Sequence, residues 1–220
     1  MTTNPSNPDN VPPKIDQQFL DRDYAERFEM IYKHADQTLD VIPWVNATTH
    51  PRLVEWLGKN DLQGNGRRAI VLGCGLGDDA EKLAELGFQV TAFDVSPTAI
   101  AWAKQRFPQS NVDYQAADLF KLPAEWHSQF DFVLEIYTVQ ALPLSVREQV
   151  LQAIPPLLKT GGQLLLICEG REHDTIPEGP PWRLSKQELT TLEDCGLTLV
   201  HEEDFVPDTG RRQFRMVYQK

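Results

Sequence analysis

The sequence has little of what disulfide-stabilised, metal-binding and membrane-spanning proteins depend on. Its three cysteines, Cys74, Cys168 and Cys195, are widely spaced and odd in number, which predicts reduced thiols rather than a disulfide framework. Its five histidines lack the paired spacing of metal ligands, so we expect no metal site. No apolar run approaches the roughly 20 residues that cross a bilayer, and residues 1–13 lack the charged-then-apolar order of a signal peptide. We therefore expect a cytoplasmic protein.

Positive charge is also scarce. The chain carries 21 Lys and Arg against 32 Asp and Glu, a net charge of -11. A surface of that sign repels phosphate backbones and anionic lipid headgroups, so we expect neither nucleic acid nor a membrane as a partner. A monomer or a weak homodimer is expected.

The chain of 220 residues is expected to form one domain. Residues 1–14 hold four prolines among Asn, Ser and Thr, a composition typical of a disordered tail. Apolar positions then recur at intervals of three and four over residues 15–35, which predicts an amphipathic helix, and a second helix is predicted over residues 50–57. Residues 15–62 are therefore interpreted as a helical N-terminal cover on a core formed by residues 63–220.

In the core, short apolar runs alternate with helical patterns, the arrangement that produces a parallel sheet. The predicted strands cover residues 69–72, 90–93, 112–115, 130–134 and 163–168, and the helices between them cover 78–86, 97–107 and 145–158. Two more strands, over 197–205 and 212–219, join through a turn at 207–210 and predict an antiparallel hairpin at the sheet edge. The fold class is α/β: a Rossmann-like, seven-stranded, mostly parallel sheet with helices on both faces and a C-terminal antiparallel hairpin.

The most informative segment is 69–79 (AIVLGCGLGDD), a buried strand that runs through a glycine-rich turn into a helix. Glycines let the backbone approach a ligand closely, although a tight turn without a ligand also favours them. The next strand ends at Asp94, 17 residues after Gly77, close to where a nucleotide-binding fold places an acid on ribose hydroxyls. The alternative is that Asp94 only caps the following helix, which begins near Ser96 and Pro97.

The spacing of the glycines distinguishes two kinds of adenosine ligand. A pyrophosphate-binding turn has the pattern Gly-x-Gly-x-x-Gly with its third glycine inside the helix, whereas this turn is Gly-x-Gly-x-Gly followed by Asp78 and Asp79. Two acids at a helix start repel a pyrophosphate but suit a ligand that carries a sulfonium and an ammonium group. The acidic turn therefore disfavours NAD.

Five segments, in this order, resemble those of class I S-adenosylmethionine-dependent methyltransferases. They are 71–77 (VLGCGLG), 93–100 (FDVSPTAI), 116–119 (AADL), 130–133 (FDFV) and 158–165 (LKTGGQLL). Within that class, Pro43-Trp44, Cys74-Gly75 and 179–182 (GPPW) are similar to the thiopurine and thiol methyltransferase group. The resemblance implies S-adenosylmethionine as the cofactor and methyl transfer to S, O or N of a small-molecule acceptor.

The resemblance and the fold also assign expected roles to residues near the cofactor. The glycines are expected behind the methionine part, Asp94 on the ribose, and Asp118 with Leu119 facing the adenine. The full set of expected cofactor contacts is Trp44, Gly73, Cys74, Gly75, Gly77, Asp79, Asp94, Val95, Asp118, Leu119 and Glu135.

Glu135 and Tyr137 follow the fourth predicted strand and are the candidate catalytic residues. Glu135 would act as a base or pair with the sulfonium, and Tyr137 would orient the acceptor. The alternative for each is structural: a carboxylate bound to local backbone amides and a packed tyrosine. The candidate substrate-binding residues are Tyr24, Tyr32, Gln140, Arg171 and Trp182, among which Arg171 would hold an acceptor carboxylate.

Two rival functions stay open at this point. One is an NAD-linked oxidoreductase on the same fold, which the missing third helical glycine and the Asp78-Asp79 pair disfavour. The other is a non-catalytic domain that binds an adenosyl ligand but has lost the acceptor chemistry.

Overall fold

Seven strands form one sheet in the computed structural model, which describes residues 23–207 and 210–220. The strands are β1 (Arg68–Leu72), β2 (Gln89–Asp94), β3 (Asp113–Ala116), β4 (Phe130–Ile136), β5 (Leu158–Glu169), β6 (Thr198–Phe205) and β7 (Gln213–Gln219). Their order across the sheet is β3-β2-β1-β4-β5-β7-β6. The first five strands in that order run parallel, and β7 pairs antiparallel with both β5 and β6. The predicted Rossmann-like fold with its C-terminal hairpin is confirmed.

Helices cover both faces of the sheet. They are α1 (Tyr24–Ala35), α2 (Pro51–Lys59), α3 (Asp78–Glu85), α4 (Pro97–Arg106), α5 (Arg147–Ala153) and α6 (Lys186–Asp194). On one face, Leu53 of α2, Leu83 of α3 and Ile100 of α4 join a buried apolar cluster with the strands. On the other face, Leu151 of α5 and Leu192 of α6 belong to a second cluster. Strands buried on both sides read as near-continuous apolar runs, which is why the sequence pattern located them.

The carboxyl ends of three parallel strands lie together at one edge of the sheet. Leu72, the last residue of β1, is in register with Phe93 of β2 and Glu135 of β4. The carboxyl ends of these three strands therefore lie side by side, and the turns that follow them meet there. In open α/β sheets this edge is the ordinary ligand-binding position.

The structure differs from the prediction at two helices. The helix predicted over 145–158 is shorter, because Pro155 and Pro156 cannot continue it: α5 ends at Ala153 and a 3-10 turn occupies Pro155–Leu157. Helix α6 was not predicted at all. Its signal is present in the sequence, since Ser185 and Glu188 form a capping box at its start.

Three predicted segments lie wholly or partly outside the described residues. They are the tail at 1–14, the first part of the helix predicted over 15–35, and the hairpin turn at 207–210, of which Asp208 and Thr209 are not described. The division into a cover (15–62) and a core (63–220) stays a prediction. Within the described part of the chain, no helix has the length and apolar character needed to cross a membrane.

Candidate functional site

The glycine-rich turn between β1 and α3 requires its glycines. Gly73, Gly75 and Gly77 have φ of +56°, +51° and +92°, a region that side chains bearing Cβ avoid. A Cβ on Gly73 would lie 2.7 Å from Thr138 Cγ2, and one on Gly77 would lie 2.9 Å from Tyr114 Cζ. The turn is therefore pressed against its neighbours and presents bare backbone at the carboxyl end of β1.

Asp94 lies beside this turn at the carboxyl end of β2. Its side chain is only 7% exposed, and its two oxygens accept from Gly75 N at 3.0 Å and from Ser96 N at 2.9 Å. Burial raises the pKa of the Asp94 carboxyl to about 6. The N-cap of α4 is Ser96, whose hydroxyl accepts from Ala99 N at 3.0 Å, so capping does not account for Asp94. The carboxylate instead ties the glycine turn to β2.

The two acids that begin α3 have different surroundings. Asp78 forms a bidentate pair with Arg106 at 2.7 and 2.8 Å, and the same guanidinium donates to Leu76 O at 2.7 Å. Asp79 accepts from His50 N at 2.7 Å and has no Lys or Arg ion-pair partner within the described chain. Burial, together with the Asp78 charge, raises the pKa of the Asp79 carboxyl to about 6. Arg106 occupies Asp78, so of the two acids expected to serve a cationic ligand only Asp79 keeps that expected role.

Helix α1 lies across the ends of β2 and β3. The Tyr24 hydroxyl donates to Asp118 Oδ1 at 2.8 Å, and the Glu29 carboxylate accepts from the hydroxyls of Ser96 and Thr98 at 2.7 and 2.8 Å. The Tyr32 side chain is 2% exposed, and its hydroxyl accepts from Trp44 Nε1 at 3.0 Å. Tyr32 is thus packed beneath Trp44 rather than presented to a substrate.

The side expected to face the adenine is built at the end of β3. Asp118 caps a 3-10 turn over Leu119–Lys121 by accepting from Phe120 N at 3.0 Å. The Leu119 side chain is buried in the core, while Val95, next to Asp94, is half-buried at the same edge. Asp118, Leu119 and Val95 thus follow the carboxyl ends of β3 and β2, and their contact with an adenine stays a prediction.

Glu135 is completely buried at the end of β4. Its Oε1 accepts from Thr138 N at 2.8 Å and Val139 N at 2.9 Å, while Oε2 is buried without a partner among the described residues. Burial raises the pKa of this carboxyl to about 7. These contacts correspond to the structural role considered for Glu135, a carboxylate bound to local backbone amides. They hold the 3-10 turn Val139–Ala141 at the end of β4.

Tyr137 follows β4 with a φ of +63°, an uncommon value for a residue with a large side chain. Its hydroxyl accepts from Gln213 Nε2 at 2.8 Å, and its ring meets the His50 ring edge-to-face at 4.8 Å. Burial raises the pKa of the Tyr137 phenol above its usual value, so it stays protonated and can donate a hydrogen bond.

The remaining predicted substrate residues lie near the end of β5. Gln140 is 3% exposed and its Oε1 accepts from Glu169 N at 2.6 Å. Trp182 is half-buried, its backbone N donates to Gln140 O at 2.7 Å, and its ring lies 5.4 Å from the Arg27 guanidinium. Gln140 is therefore a support for neighbouring backbone, while Trp182 lies at the rim.

Arg171 uses its guanidinium within its own chain. It donates to the carbonyls of Glu172, His173, Thr175 and Arg183, and to the Glu188 carboxylate at 2.8 Å. An acceptor carboxylate would have to displace these contacts. Arg171 therefore organises the loop before α6 instead of holding an acceptor carboxylate.

A family model for thiopurine S-methyltransferase matches residues 34–219 of the chain. The chain belongs to the thiopurine S-methyltransferase family. This confirms the family that the glycine turn and the four later motifs predicted. The cofactor of this family is S-adenosylmethionine.

The curated relatives match only part of this chain. It is 35% identical over 107 residues to the ubiquinone biosynthesis O-methyltransferase of Xanthomonas axonopodis pv. citri (strain 306), a match that covers 48% of this chain and 44% of that protein. The chain therefore spans less than half the length of the curated relatives it matches.

Two solved structures share the fold. One, reported for the conversion of a disulfide bond into a thioacetal group during echinomycin biosynthesis, has a TM-score of 0.71 at 20% identity and covers 90% of this chain and 93% of its own. The other is Burkholderia thailandensis 1,6-didemethyltoxoflavin-N1-methyltransferase with bound 1,6-didemethyltoxoflavin and S-adenosylhomocysteine. Its TM-score is 0.67 at 19% identity, covering 89% of this chain and 86% of its own.

Three further residues lie at the candidate site although no sequence motif indicates them. His50 accepts from Arg52 N through Nδ1 and lies between Asp79 and Tyr137, and burial lowers its pKa to about 4. Arg27 of α1 is 2% exposed and donates to Ala141 O at 3.1 Å. Gln213 contacts Tyr137 from β7. None belongs to a local motif, because only the tertiary fold brings them to this edge. In the described ranges, no group of three His, Cys, Asp or Glu residues is arranged to hold a metal ion.

Proposed function

We propose that the chain catalyses S-adenosylmethionine-dependent methyl transfer to S, O or N of a small-molecule acceptor. The observation that carries the proposal is the contact of the Asp94 carboxylate with Gly75 N, which sets an acid and bare backbone side by side at the ends of β1 and β2. Family membership supports the same function.

The donor set fits a cationic nucleoside ligand. Asp79 is a carboxylate next to the glycine turn with no Lys or Arg ion-pair partner in the described chain, and its raised pKa reflects burial that a bound ammonium group would compensate. A pyrophosphate would meet Asp79 as a like charge. Gly77 is the N-cap of α3 rather than a residue inside it, which also departs from the dinucleotide pattern.

We assign the cofactor contacts accordingly. Gly73, Cys74, Gly75 and Gly77 lie behind the methionine part with Trp44 opposite, Asp79 holds the ammonium group, and Asp94 holds the ribose hydroxyls. Val95, Asp118 and Leu119 line the adenine side. Tyr24, on Asp118, closes that side from α1.

When bound, the cofactor supplies a methyl group on a positively charged sulfur, a good leaving group. The protein then has to hold an acceptor in line with that methyl, and positioning of this kind contributes roughly 7–11 kcal/mol. Tyr137 is placed to donate a hydrogen bond to the acceptor, and Trp182 lies at the rim of the same edge. Glu135 contributes by fixing the turn after β4.

The first test is calorimetry with S-adenosylhomocysteine. We expect binding by the wild type and at least tenfold weaker binding by Asp94→Asn, because a charged acceptor of hydrogen bonds is worth about 1.5–3 kcal/mol. Asp113→Asn, an exposed acid on the neighbouring strand β3, is the matched control and should bind like the wild type. Absence of binding at millimolar ligand, or preferential stabilisation by NADH in a thermal-shift assay, contradicts the proposal.

The second test is turnover with thiols, halides and phenols. Formation of S-adenosylhomocysteine with any of them supports an enzyme. Cofactor binding without product from the whole panel would instead support a non-catalytic adenosyl-binding domain.

We also propose that the protein acts in the cytoplasm, as a monomer or weak homodimer, without nucleic acid or membrane partners. The net charge of -11 supports the last part, because it opposes binding to phosphate-rich surfaces. Sedimentation at several protein concentrations tests the oligomeric state, and a concentration-independent dimer would contradict it.

A further inference from the structure

The start of β7 brings an amide side chain to the same sheet edge, where no motif predicted it. Gln213 is paired with Glu169 at the carboxyl end of β5 and with Phe205 of β6. Its side chain is 7% exposed. Its Nε2 donates to the Tyr137 hydroxyl at 2.8 Å, while its Oε1 is buried without a hydrogen-bond partner among the described residues.

The Tyr137 side chain is held in one orientation by its surroundings. Its backbone N donates to Ile167 O at 3.1 Å, its φ is +63°, and its ring rests against His50. Because the phenol oxygen accepts from Gln213, its own proton has to point away from that nitrogen. Tyr137 therefore presents a donor of fixed direction.

His50 adds a second constraint at this point. Its Nδ1 accepts from Arg52 N, so the ring proton of neutral His50 is on Nε2. Because Nε2 of His50 carries a proton, it is a donor and cannot accept the Tyr137 hydroxyl proton. The Tyr137 hydroxyl proton and Oε1 of Gln213 are thus a neighbouring donor and acceptor with no partner among the described residues.

We propose that Gln213 is a positioning and specificity-determining residue for the methyl acceptor, turning the Tyr137 proton toward it and accepting an N–H or O–H from the same molecule. The inference rests on the proposed methyl transfer. The chemical class that fits has a hydrogen-bond acceptor and a donor on neighbouring atoms, as at the edge of an amide.

The test compares matched probes bound to the complex with S-adenosylhomocysteine. The pairs are 2-pyridone against phenol, and pyridine-2-thione against benzenethiol; the first of each pair carries a ring N–H beside the oxygen or sulfur that would accept the methyl group. Calorimetry should show at least about fivefold tighter binding of the first member by the wild type, and loss of that preference in Gln213→Met. Equal affinities in the wild type overturn the inference.

A double-variant comparison tests whether Gln213 acts through Tyr137. Gln213→Glu keeps the shape but can only accept, so it takes the Tyr137 proton for itself. We expect it to weaken probe binding about as much as Tyr137→Phe, and to add nothing further in the Tyr137→Phe background. A full additional loss in that background overturns the positioning role.

Controls separate these outcomes from misfolding and from failure of the proposed function. Gln219→Glu, exposed at the other end of β7, should change neither probe binding nor the thermal midpoint. Affinity for S-adenosylhomocysteine should stay within about twofold in every variant, because Gln213 contacts the acceptor side. If the S-adenosylhomocysteine complex binds the probes as expected but the protein supplied with S-adenosylmethionine forms no methylated product from any of them, the methyl-transfer proposal fails while the recognition role of Gln213 stands.

Discussion

Replacing Gly73 by alanine tests how tightly the glycine turn is held against the turn after β4. The new Cβ would overlap the Thr138 hydroxyl and lie 2.7 Å from Thr138 Cγ2. Thr138 cannot easily move aside, because its hydroxyl donates to Leu72 O at 2.9 Å and its backbone N donates to Glu135 at 2.8 Å. The substitution therefore combines backbone strain with overpacking.

A second glycine, Gly161, allows the cost of backbone strain to be measured apart from the cost of overpacking. Gly161 has a φ of +80°, and beyond its chain neighbours no atom of the described residues lies within 4 Å of the point a Cβ would occupy. Gly161→Ala therefore carries the backbone strain alone, about 1–2 kcal/mol. Gly73→Ala adds overpacking of about 1–3 kcal/mol, for a total of roughly 2–5 kcal/mol. Urea unfolding at constant m-value measures both free energies of unfolding.

Thr138→Ala provides the cross-check. In that background the additional loss caused by Gly73→Ala should fall toward the value for Gly161→Ala, since the overlapping atoms are gone. If Gly73→Ala and Gly161→Ala destabilise equally in the wild-type background, the close approach of the two turns is refuted.

Three further predictions concern the acids of the site. Because an ionised Asp79 is needed to hold a cation and its pKa is about 6, affinity for S-adenosylmethionine should rise roughly tenfold from pH 5 to 7, and Asp79→Asn, unlike Asp113→Asn, should flatten that rise when calorimetry follows it. Arg106→Gln should lower the free energy of unfolding by about 1–3 kcal/mol through loss of the Asp78 pair, whereas Lys104→Gln, exposed on the same helix, should change it by less than about 0.5 kcal/mol; equal losses in urea melts would contradict this. Glu135→Gln preserves the acceptor for Thr138 N and Val139 N, so kcat should stay near the wild-type value; a fall of roughly 10² to 10⁴-fold would identify Glu135 as an acid–base catalyst after all.

The sequence predicted the sheet well because its central strands are buried on both faces and therefore appear as uninterrupted apolar runs. It also placed the glycine turn, Asp94 and Asp118 at strand ends, because each lies at or within two residues of the end of an apolar run; their role toward a cofactor stays a prediction. Local pattern and three-dimensional position coincide there.

The acceptor side was harder to predict because it is assembled from distant segments. His50, Tyr137 and Gln213 come from the loop before α2, the end of β4 and the start of β7, and no spacing in the sequence links them. The partners of charged groups were equally hidden. No sequence pattern indicates the carbonyls that occupy Arg171, which was expected to hold an acceptor carboxylate, or the Arg106 guanidinium that pairs with Asp78 but not with Asp79.

The placement of α1 has a consequence for how this enzyme family can vary. Tyr24, Glu29 and Arg27 fasten that helix to the ends of β3 and β2 and to the turn after β4, so one helix supplies a wall to three separate parts of the rim. A substitution along α1 therefore acts at the end of β3 and at the turn after β4 together. We expect acceptor range and cofactor support to change together along this helix, while the sheet beneath keeps its sequence.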